Sequence, residues 1–275
     1  MRVRVLLLIL LSTVGLPPDR VHAQAGAVAV PQTQAPPVAP VITSARVWEG
    51  RNAEFEAYIR EAPIVRMEDV PIGVTKPKRA YLTMGGLVPS IAWKVLPPGR
   101  PHGYWESYKS EIAGYELDKL LGMHMVPPTV EKRWKGELGA AVLWLKPIRQ
   151  WKEVEPLPKP AGWMKQVVRM KMFDNLICNI DRNAGNLLVD AEWNLFLIDH
   201  TRAFIDERRL PVAMVRIDRE LWDRMRALDE PTLTTALGKW VDRRSIRALL
   251  ARRDKMQTVI DGLLKNSPES LVYVK

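Results

Sequence analysis

The chain has 275 residues, enough for one large domain or two smaller ones, and 47% of them are hydrophobic. Its formal net charge of +10 favours anionic partners such as nucleotides, acidic proteins or anionic lipid surfaces. Cys178 is the single cysteine, which excludes an intramolecular disulfide and leaves the hydrophobic core to hold the fold.

The N-terminal segment has the layout of a secretory signal peptide, which we predict over residues 1–23. A basic start is followed by an apolar run over 5–16, too short for a comfortable membrane span, and by a small-x-Ala cleavage site at Ala23. An uncleaved N-terminal anchor is the alternative. Residues 24–44 are rich in Ala, Val, Pro and Gln and predict a disordered linker. We therefore expect an exported protein (periplasmic, secreted or in a secretory lumen) with no transmembrane span after cleavage.

Strand patterns gather in the first half of the chain and helical patterns in the second. The first half predicts a short helix over 48–59, strands over 81–87 and 90–96, a helix over 107–121, and strands over 126–130 and 140–145. The second half predicts a Pro-rich loop over 152–162, a helix over 163–177, strands over 187–189 and 195–198, and helices over 218–228, 231–240 and 244–264. This order favours an α+β, two-lobed fold, with a small, mostly β N-lobe over 45–150 and a mostly helical C-lobe over 151–275.

Residues 173–204 carry the strongest functional signal. Asp181 lies in a short polar loop, Asn186 follows five positions later, and Asp199 comes directly after an apolar strand. Phosphoryl transfer uses an Asp that takes or orients the attacking hydroxyl, and an Asn and an Asp that hold Mg²⁺ or Mn²⁺ on the nucleotide phosphates. The pattern therefore indicates a kinase. Asp and Asn are also common turn and cap residues, so this spacing alone does not separate a kinase from a structural loop.

A phosphate-binding lobe needs a cation on a rigid strand and a loop whose backbone approaches the phosphates. Lys94 lies in an apolar strand one helix upstream of Glu111, which is the order of the kinase Lys–Glu ion pair. Gly85 and Gly86 are the candidate loop, because glycine permits close backbone approach. An ordinary hairpin turn is the alternative for these two glycines.

The helix predicted over 107–121 has one apolar face, and Glu111 lies roughly opposite that face when residues are placed about 100° apart. If the apolar face packs on the body of the protein, Glu111, Tyr115 and Asp118 line the cleft between the lobes. The pattern permits this arrangement without requiring it.

Four stretches in order carry a family resemblance, within residues 80–204. They are EIAGYELDKLLG at 111–122, VPPTV at 126–130, DRN at 181–183 and DHTRAF at 199–204. They resemble the Golgi secretory-pathway kinases, which phosphorylate exported proteins and proteoglycan sugars, and more distantly the phosphatidylinositol 3/4-kinases. The chain departs from that family at Asn183, where His is common, and in lacking the disulfides typical of eukaryotic relatives.

The resemblance implies an atypical protein-kinase-like fold with ATP between two lobes. By position, Asp181 is then the catalytic Asp, Lys94 contacts the phosphates, and Glu111 pairs with Lys94 or assists the metal. The glycine-rich loop at Gly85 and Gly86 matches the family poorly.

The resemblance also implies where the metal and the adenine bind. Asp199 is then the principal ligand of Mg²⁺ or Mn²⁺, and Asn186 is the second. Residues 143–146 form the hinge edge, in which Leu143 and Leu145 present backbone groups to adenine.

These features favour an active kinase whose acceptor is a hydroxyl group of a protein, a sugar or a lipid. The basic C-terminal lobe favours an acidic protein or a glycan as the partner. The main alternative is a nucleotide-binding pseudokinase or scaffold of the cell envelope, because ATP is scarce outside the cytoplasm unless the compartment is supplied with nucleotide. We do not expect nucleic acid as a partner, since no motif of a nucleic-acid-binding protein is present.

Overall fold

The computed structural model describes residues 44–70 and 77–274. The predicted signal peptide, and the predicted linker up to residue 43, lie outside these residues. Across the described part of the chain, no helix is both long and apolar enough to cross a bilayer.

The N-lobe is built on a five-stranded antiparallel sheet in the order β1-β2-β3-β5-β4. The strands are β1 (Ile64–Asp69), β2 (Lys78–Leu82), β3 (Ser90–Lys94), β4 (Thr129–Trp134) and β5 (Glu137–Leu143). Helix α1 (Asn52–Glu61) precedes the sheet, and helix α2 (Tyr108–Leu120) connects β3 to β4. The central strand β3 is buried at four of its five residues, so its last residue is held rigidly.

Helix α1 is fixed to the sheet by packing and by one buried lysine. Phe55 and Ile59 of α1 join the N-lobe core. The Lys132 ammonium of β4 donates hydrogen bonds to the carbonyl oxygens of Ile59, Arg60 and Ala62 at 2.8–2.9 Å. These carbonyls at the end of a helix have no partner within it, and Lys132 satisfies them.

The C-lobe is mostly helical and carries a small second sheet. Its helices are α3 (Trp151–Val154), α4 (Trp163–Ile177), α5 (Arg219–Arg226), α6 (Glu230–Leu237), α7 (Arg243–Asn266) and α8 (Glu269–Val272). Its antiparallel strands are β6 (Arg149–Gln150), β7 (Leu187–Val189) and β8 (Leu195–Leu197). A single 3₁₀ turn, Ala184–Asn186, precedes β7.

Asp side chains start three C-lobe helices. Asp218, Asp229 and Asp242 accept hydrogen bonds from backbone N–H groups in the first turns of α5, α6 and α7. Such N-caps satisfy donors that the helix leaves without partners. They explain why the helical patterns of this region translate closely into helices.

A buried arginine of α7 anchors the segment that leads away from β8. Arg252 is fully buried and donates hydrogen bonds to the carbonyl oxygens of Leu176, at 2.9 Å, and of Ile205, at 3.2 Å. It also donates to the carbonyl oxygen of Glu207. Burial lowers the pKa of Arg252 to about 10. The end of α4 and residues 205–207 are thereby tied to the longest helix of the C-lobe.

The predicted fold class is confirmed: strands dominate the first lobe and helices the second. Helix α4 begins and ends at the predicted residues, and α2 lies one residue inside the predicted limits at each end. The agreement comes from the helix ends, since Ser107 caps α2 and Gly162, at φ +80°, directly precedes α4.

The predictions for strands are less accurate. The strand predicted over 81–87 ends at Leu82, because a turn with Gly85 at φ +76° follows. The strand predicted over 126–130 begins only at Thr129, because the two prolines before it have no N–H to donate. Strand β1 was not predicted, since this edge strand is largely exposed and its charged residues hide the alternation.

Candidate active site

A cavity of about 460 Å³ is lined by residues of both lobes. This volume lies within the range of small-molecule sites. Among the described residues, seven of the nine predicted site residues line it: Lys94, Glu111, Leu143, Leu145, Asp181, Asn186 and Asp199. Gly85 and Gly86 are not among the lining residues.

The centre of the cavity is an ion triad that joins three separate elements. The Lys94 ammonium lies 2.5 Å from Glu111 Oε1 and 2.9 Å from Asp199 Oδ1. Burial disfavours the charged ammonium, but the two carboxylates outweigh it and raise the pKa of Lys94. Burial likewise opposes ionisation of Glu111, but Lys94 and hydrogen bonding to His200 hold the pKa of Glu111 well below its usual value. Lys94 and Glu111 are therefore both charged at neutral pH.

The start of α2 brings Glu111 to the triad. Ser107 is the N-cap of α2, and its hydroxyl accepts a hydrogen bond from Lys109 N–H. The Ser107 N–H donates to Thr201 O at 2.9 Å, and the Ser110 hydroxyl donates to Ala203 O at 3.2 Å. These bonds attach the first turn of α2 directly to the segment that follows Asp199.

Asp199 adopts a left-handed backbone conformation, with φ +63°. This conformation is uncommon for residues other than glycine and is typical of sites where the chain must turn sharply. Asp199 lines the cavity, whereas the next residue, His200, is fully buried. The His200 N–H donates to Glu111 Oε2 at 3.0 Å, and a Cβ at Gly114 would come within 3.2 Å of the His200 ring. Gly114 therefore makes room for this ring under α2.

Arg182 fixes the loop that carries Asp181. Its guanidinium pairs with Asp174 of α4 at 2.9 and 3.0 Å and donates to Ile198 O at 2.7 Å. It also lies 2.9 Å from His200 Nε2, which accepts because an arginine can only donate. Burial lowers the pKa of His200, which is therefore neutral at this position. The loop is thus bonded to α4, to the residue directly after β8 and to the residue after Asp199.

Asp181 and Asn183 form the exposed edge of the site, and Asn186 beside them is buried. Asn186 Nδ2 donates to Asp181 O at 3.2 Å, and Asn183 Nδ2 donates to the same oxygen at 3.1 Å. Asn183 Oδ1 accepts from Gly185 N–H at 2.9 Å, so this side chain shapes the loop. The Asp181 side chain is 43% exposed, and its Oδ2 accepts from Arg202 at 3.0 Å.

The side-chain oxygens at this site that have no hydrogen-bond partner among the described residues suit a divalent metal. Asp199 Oδ2 and Asn186 Oδ1 have no hydrogen-bond partner among the described residues, and both side chains line the cavity. The described residues contain no group of three or more His, Cys, Asp and Glu that could hold a metal without further ligands. Mg²⁺ is commonly held by one or two protein oxygens together with substrate phosphates and water. The residues present therefore suit a metal that arrives with a nucleotide.

The predicted hinge also offers a free donor. Leu143 N–H donates to Pro128 O, and Trp144 N–H donates to Ser90 O. The N–H of Leu145 has no hydrogen-bond partner among the described residues, and Leu145 lines the cavity. An adenine base would find a backbone donor at this position.

The two glycines predicted to cradle phosphates lie in the turn between β2 and β3. A Cβ at Gly86 would fall 1.5 Å from the Tyr58 hydroxyl, so Gly86 lets α1 approach the turn. Val70 and Pro77, which flank the connection from β1 to β2, line the cavity instead. Gly85 and Gly86 thus lie where an ordinary turn between two antiparallel strands would put them.

Two residues expected on the cleft face of α2 point elsewhere. The Tyr115 hydroxyl bonds to Asn52 and Glu56 of α1. Asp118 Oδ1 accepts from the N–H groups of residues 125 and 126. The arrangement of three polar side chains on one cleft-facing stripe is therefore wrong, because α2 is buried on nearly every side and only Glu111 of the three lines the cavity.

Arg202 and Glu106 were not predicted as site residues from the sequence. Arg202 lines the cavity and pairs with both Asp181 and Glu106. The available signal was the position of Arg202 three residues after Asp199, within the stretch that carried the family resemblance. Glu106 gave no signal, because its carboxylate reaches the site only through the fold.

Comparison with solved structures identifies the fold. The structure of hydra Fam20 with sugar matches with a TM-score of 0.65 at 16% identity, over 81% of this chain and 91% of that chain. The Golgi casein kinase with Mn/ADP bound matches with a TM-score of 0.59 at 12% identity, over 82% and 79%. A second Golgi casein kinase structure gives 0.60 at 14% identity, over 82% and 78%. The chain matches no protein-family model and no curated protein sequence.

At these identities the comparisons bear on the fold alone. The predicted two-lobed kinase-like fold and its likeness to Golgi secretory-pathway kinases are confirmed. The more distant likeness to phosphatidylinositol 3/4-kinases stays a prediction.

Proposed function

We propose that this protein is an ATP-dependent phosphotransferase that moves the γ-phosphoryl group to a hydroxyl acceptor. One observation carries the proposal: Lys94 is held between Glu111 and Asp199, at 2.5 and 2.9 Å, in a cavity that Asp181 and Asn186 also line. A strand lysine paired with a helix glutamate beside a metal-binding Asp is the arrangement of an assembled kinase site. Turn-forming or capping roles for Asp181, Asn186 and Asp199 would not require this convergence.

The nucleotide would be held by groups of both lobes. The Leu145 N–H and the apolar wall beside it take the base, and the Lys94 ammonium contacts the phosphates. Asp199 and Asn186 provide oxygen ligands for Mg²⁺ or Mn²⁺, which when bound offsets negative charge on the phosphates. Glu111 keeps Lys94 in place and charged.

Asp181 would act on the acceptor. Its free carboxylate oxygen orients the attacking hydroxyl and accepts its proton, while the acceptor oxygen bonds to the γ-phosphorus and the bond to the β-phosphate oxygen breaks. ADP and the phosphorylated acceptor are the products. Lys94 stabilises the charge that builds up on the transferred group.

The acceptor class is a protein hydroxyl, a sugar or a lipid head group. The solved structures of similar fold support the first two, since one is described with a sugar and the other as a casein kinase with Mn/ADP. An exported location agrees with both, and the net charge of +10 favours an acidic acceptor.

The test is label transfer from γ-labelled ATP with Mn²⁺ or Mg²⁺, using an acidic protein and a sugar as added acceptors. We expect label on the protein itself or on an acceptor, and no label with Asp199→Ala. Asp223→Ala removes an exposed carboxylate of α5 and serves as the matched control, expected to behave as wild type. Nucleotide binding without metal dependence and without transfer would favour the scaffold alternative instead.

A further inference from the structure

We infer that Arg202 is a positioning residue for the acceptor side of the site: it holds the Asp181 carboxylate and is itself held by Glu106 and Tyr104. The inference rests on the proposed function, because positioning Asp181 matters only if Asp181 acts on an acceptor. The inference gives a role to the buried Glu106 carboxylate and to the segment between β3 and α2 that carries it, neither of which binds the nucleotide in the proposed function.

The guanidinium of Arg202 connects two carboxylates. Its Nη1 donates to Asp181 Oδ2 at 3.0 Å, while Nε and Nη2 donate to Glu106 Oε1 at 3.2 and 3.1 Å. Its central carbon lies 3.9 Å from the centre of the Tyr104 ring, at cation–π distance. The planar group is thus restrained along its edges and on one face.

Glu106 is a rigid anchor for this arginine. Its side chain is 3% exposed, and its backbone N–H and carbonyl both pair with Gly99, at 2.9 and 3.0 Å. Its other carboxylate oxygen lies 3.2 Å from His102 Nδ1. A buried carboxylate is costly without a cation, and Arg202 provides that cation. Both Glu106 oxygens therefore already have partners, so Glu106 itself is not a group that waits for substrate.

Arg202, together with Glu106 and Tyr104, forms a clamp on Asp181. This clamp leaves one oxygen of Asp181 for the acceptor. Oδ2 is held by Arg202, whereas Oδ1 has no hydrogen-bond partner among the described residues. Restraining one oxygen sets the plane of the carboxylate and hence the direction from which a hydroxyl must approach the other. Small misplacement of a reacting group lowers transfer rates strongly without affecting binding elsewhere. An arginine suits this task because its planar group bonds to two carboxylates at once, which a lysine cannot do with the same geometry.

The clamp is separate from the triad that serves the nucleotide. Lys94 is bonded to Glu111 and Asp199, whereas among the described residues Arg202 forms hydrogen bonds and ion pairs with none of these three. Arg202 instead connects the catalytic loop to the segment between β3 and α2, which carries Tyr104 and Glu106. Loss of Arg202 should consequently lower the rate of transfer and leave nucleotide affinity unchanged.

The test compares Arg202→Ala, Arg202→Lys and the control Asp223→Ala with wild type in label transfer, alongside affinity for Mn²⁺–ADP. We expect Arg202→Ala to lower kcat about 10- to 100-fold, with nucleotide affinity and KM for ATP within about twofold of wild type. Added guanidinium ion should restore part of the kcat of Arg202→Ala and have no effect on wild type. Asp223→Ala removes an exposed carboxylate that makes no contact with Arg202 and should behave as wild type.

Arg202→Lys controls for a loss of activity that is caused only by misfolding, since it keeps a positive charge beside the buried Glu106. A folded Arg202→Lys protein, judged by its melting temperature, should still show a lowered kcat at unchanged nucleotide affinity. Wild-type kcat in this variant and in Arg202→Ala, or a loss that follows nucleotide affinity, would overturn the inference while leaving the proposed function standing. Absence of transfer by wild type would refute the proposed function, and this inference with it.

Discussion

The two sides of the cleft differ in how far their polar side chains are buried and bonded to other residues before any ligand binds. On the side proposed to bind the nucleotide, the Lys94 and Glu111 side chains are 7% and 3% exposed and are bonded to each other. On the acceptor side, Asp181 is 43% exposed and reaches the body of the protein through Arg202. A preorganised, dry phosphate site avoids reorganisation when charge moves, whereas an exposed acceptor edge admits a large hydroxyl-bearing partner.

Under the proposed function, the assembled fold sets the nucleotide half of the site and an exposed loop sets the acceptor half. The triad joins β3, α2 and the segment after β8, so it cannot form unless the lobes are assembled. The edge around Asp181 and Asn183 is a loop, where side chains change at little cost to the core. Acceptor preference should accordingly depend on the exposed edge.

Asp199→Asn tests the nucleotide side with the largest expected effect. The substitution keeps size and shape but removes the negative charge that a metal requires, so kcat/KM should fall about 10³-fold or more. Metal-dependent stabilisation by ATP in thermal melting should disappear with it. Metal-dependent stabilisation equal to that of wild type would show that the metal binds elsewhere.

Lys94→Met separates the stability of the triad from its activity. Removing the ammonium leaves Glu111 buried without its cation, which should destabilise the fold by about 3–5 kcal/mol. The double variant Lys94→Met, Glu111→Gln should recover most of that stability in urea unfolding and none of the label transfer. Recovery of transfer by the double variant would contradict the role given to Lys94.

Asp118→Asn tests whether a buried acidic residue of α2 that does not line the cavity takes part in the proposed activity. Asp118 is buried like Glu111, and burial raises the pKa of Asp118 to about 7 despite hydrogen bonds from the N–H groups of residues 125 and 126. Between about pH 4 and pH 7, Asp118 is therefore protonated in the folded state and ionised in the unfolded state. The free energy of unfolding consequently falls as pH rises through this range. Relative to Asp118→Asn, wild type should lose at most about 1.4 kcal/mol of unfolding free energy per pH unit across that window.

Urea unfolding of both proteins at pH 5, 6, 7 and 8 measures this difference. Label transfer by Asp118→Asn should stay at the wild-type level, because Asp118 does not line the cavity. A stability difference that is the same at every pH would contradict the raised pKa. A large loss of transfer would place Asp118 within the site.

Gly86→Ala has the smallest expected effect and tests the predicted phosphate loop. The new methyl group would meet the end of the Tyr58 side chain, so the fold should lose about 1 kcal/mol or less while ATP affinity is unchanged. Adding Tyr58→Ala should remove the clash between the two side chains. Weaker ATP binding at unchanged stability would show that Gly86 contributes to nucleotide binding.

Much of the nucleotide side was predictable because its residues lie at the ends of strongly patterned elements. Lys94 ends an apolar strand, Glu111 lies in the first turn of a helix that Ser107 caps, and Asp199 follows a short apolar strand. Such positions are fixed by local pattern and by the order of elements along the chain. The positions relative to one another, at 2.5 and 2.9 Å, needed the fold.

The acceptor side and the glycine assignment were less predictable for physical reasons. Arg202 and Glu106 are 96 residues apart in sequence and meet only because the start of α2 is bonded to the segment after Asp199. A pair of glycines looks the same in a hairpin turn as in a phosphate loop, and only the contact of Gly86 with α1 separates the two. The face that each residue of α2 presents was also undecidable, because the helix is buried nearly all round.

The central claim is that one side of the cleft binds the nucleotide and the other acts only in transfer, and Asp181→Asn tests it most directly. Affinity for Mn²⁺–ATP and transfer of the γ-label are measured on the same samples of wild type and variant. The account predicts affinity within about threefold of wild type and transfer lowered about 10³-fold or more. Transfer at the wild-type rate, or loss of affinity in step with transfer, would contradict it.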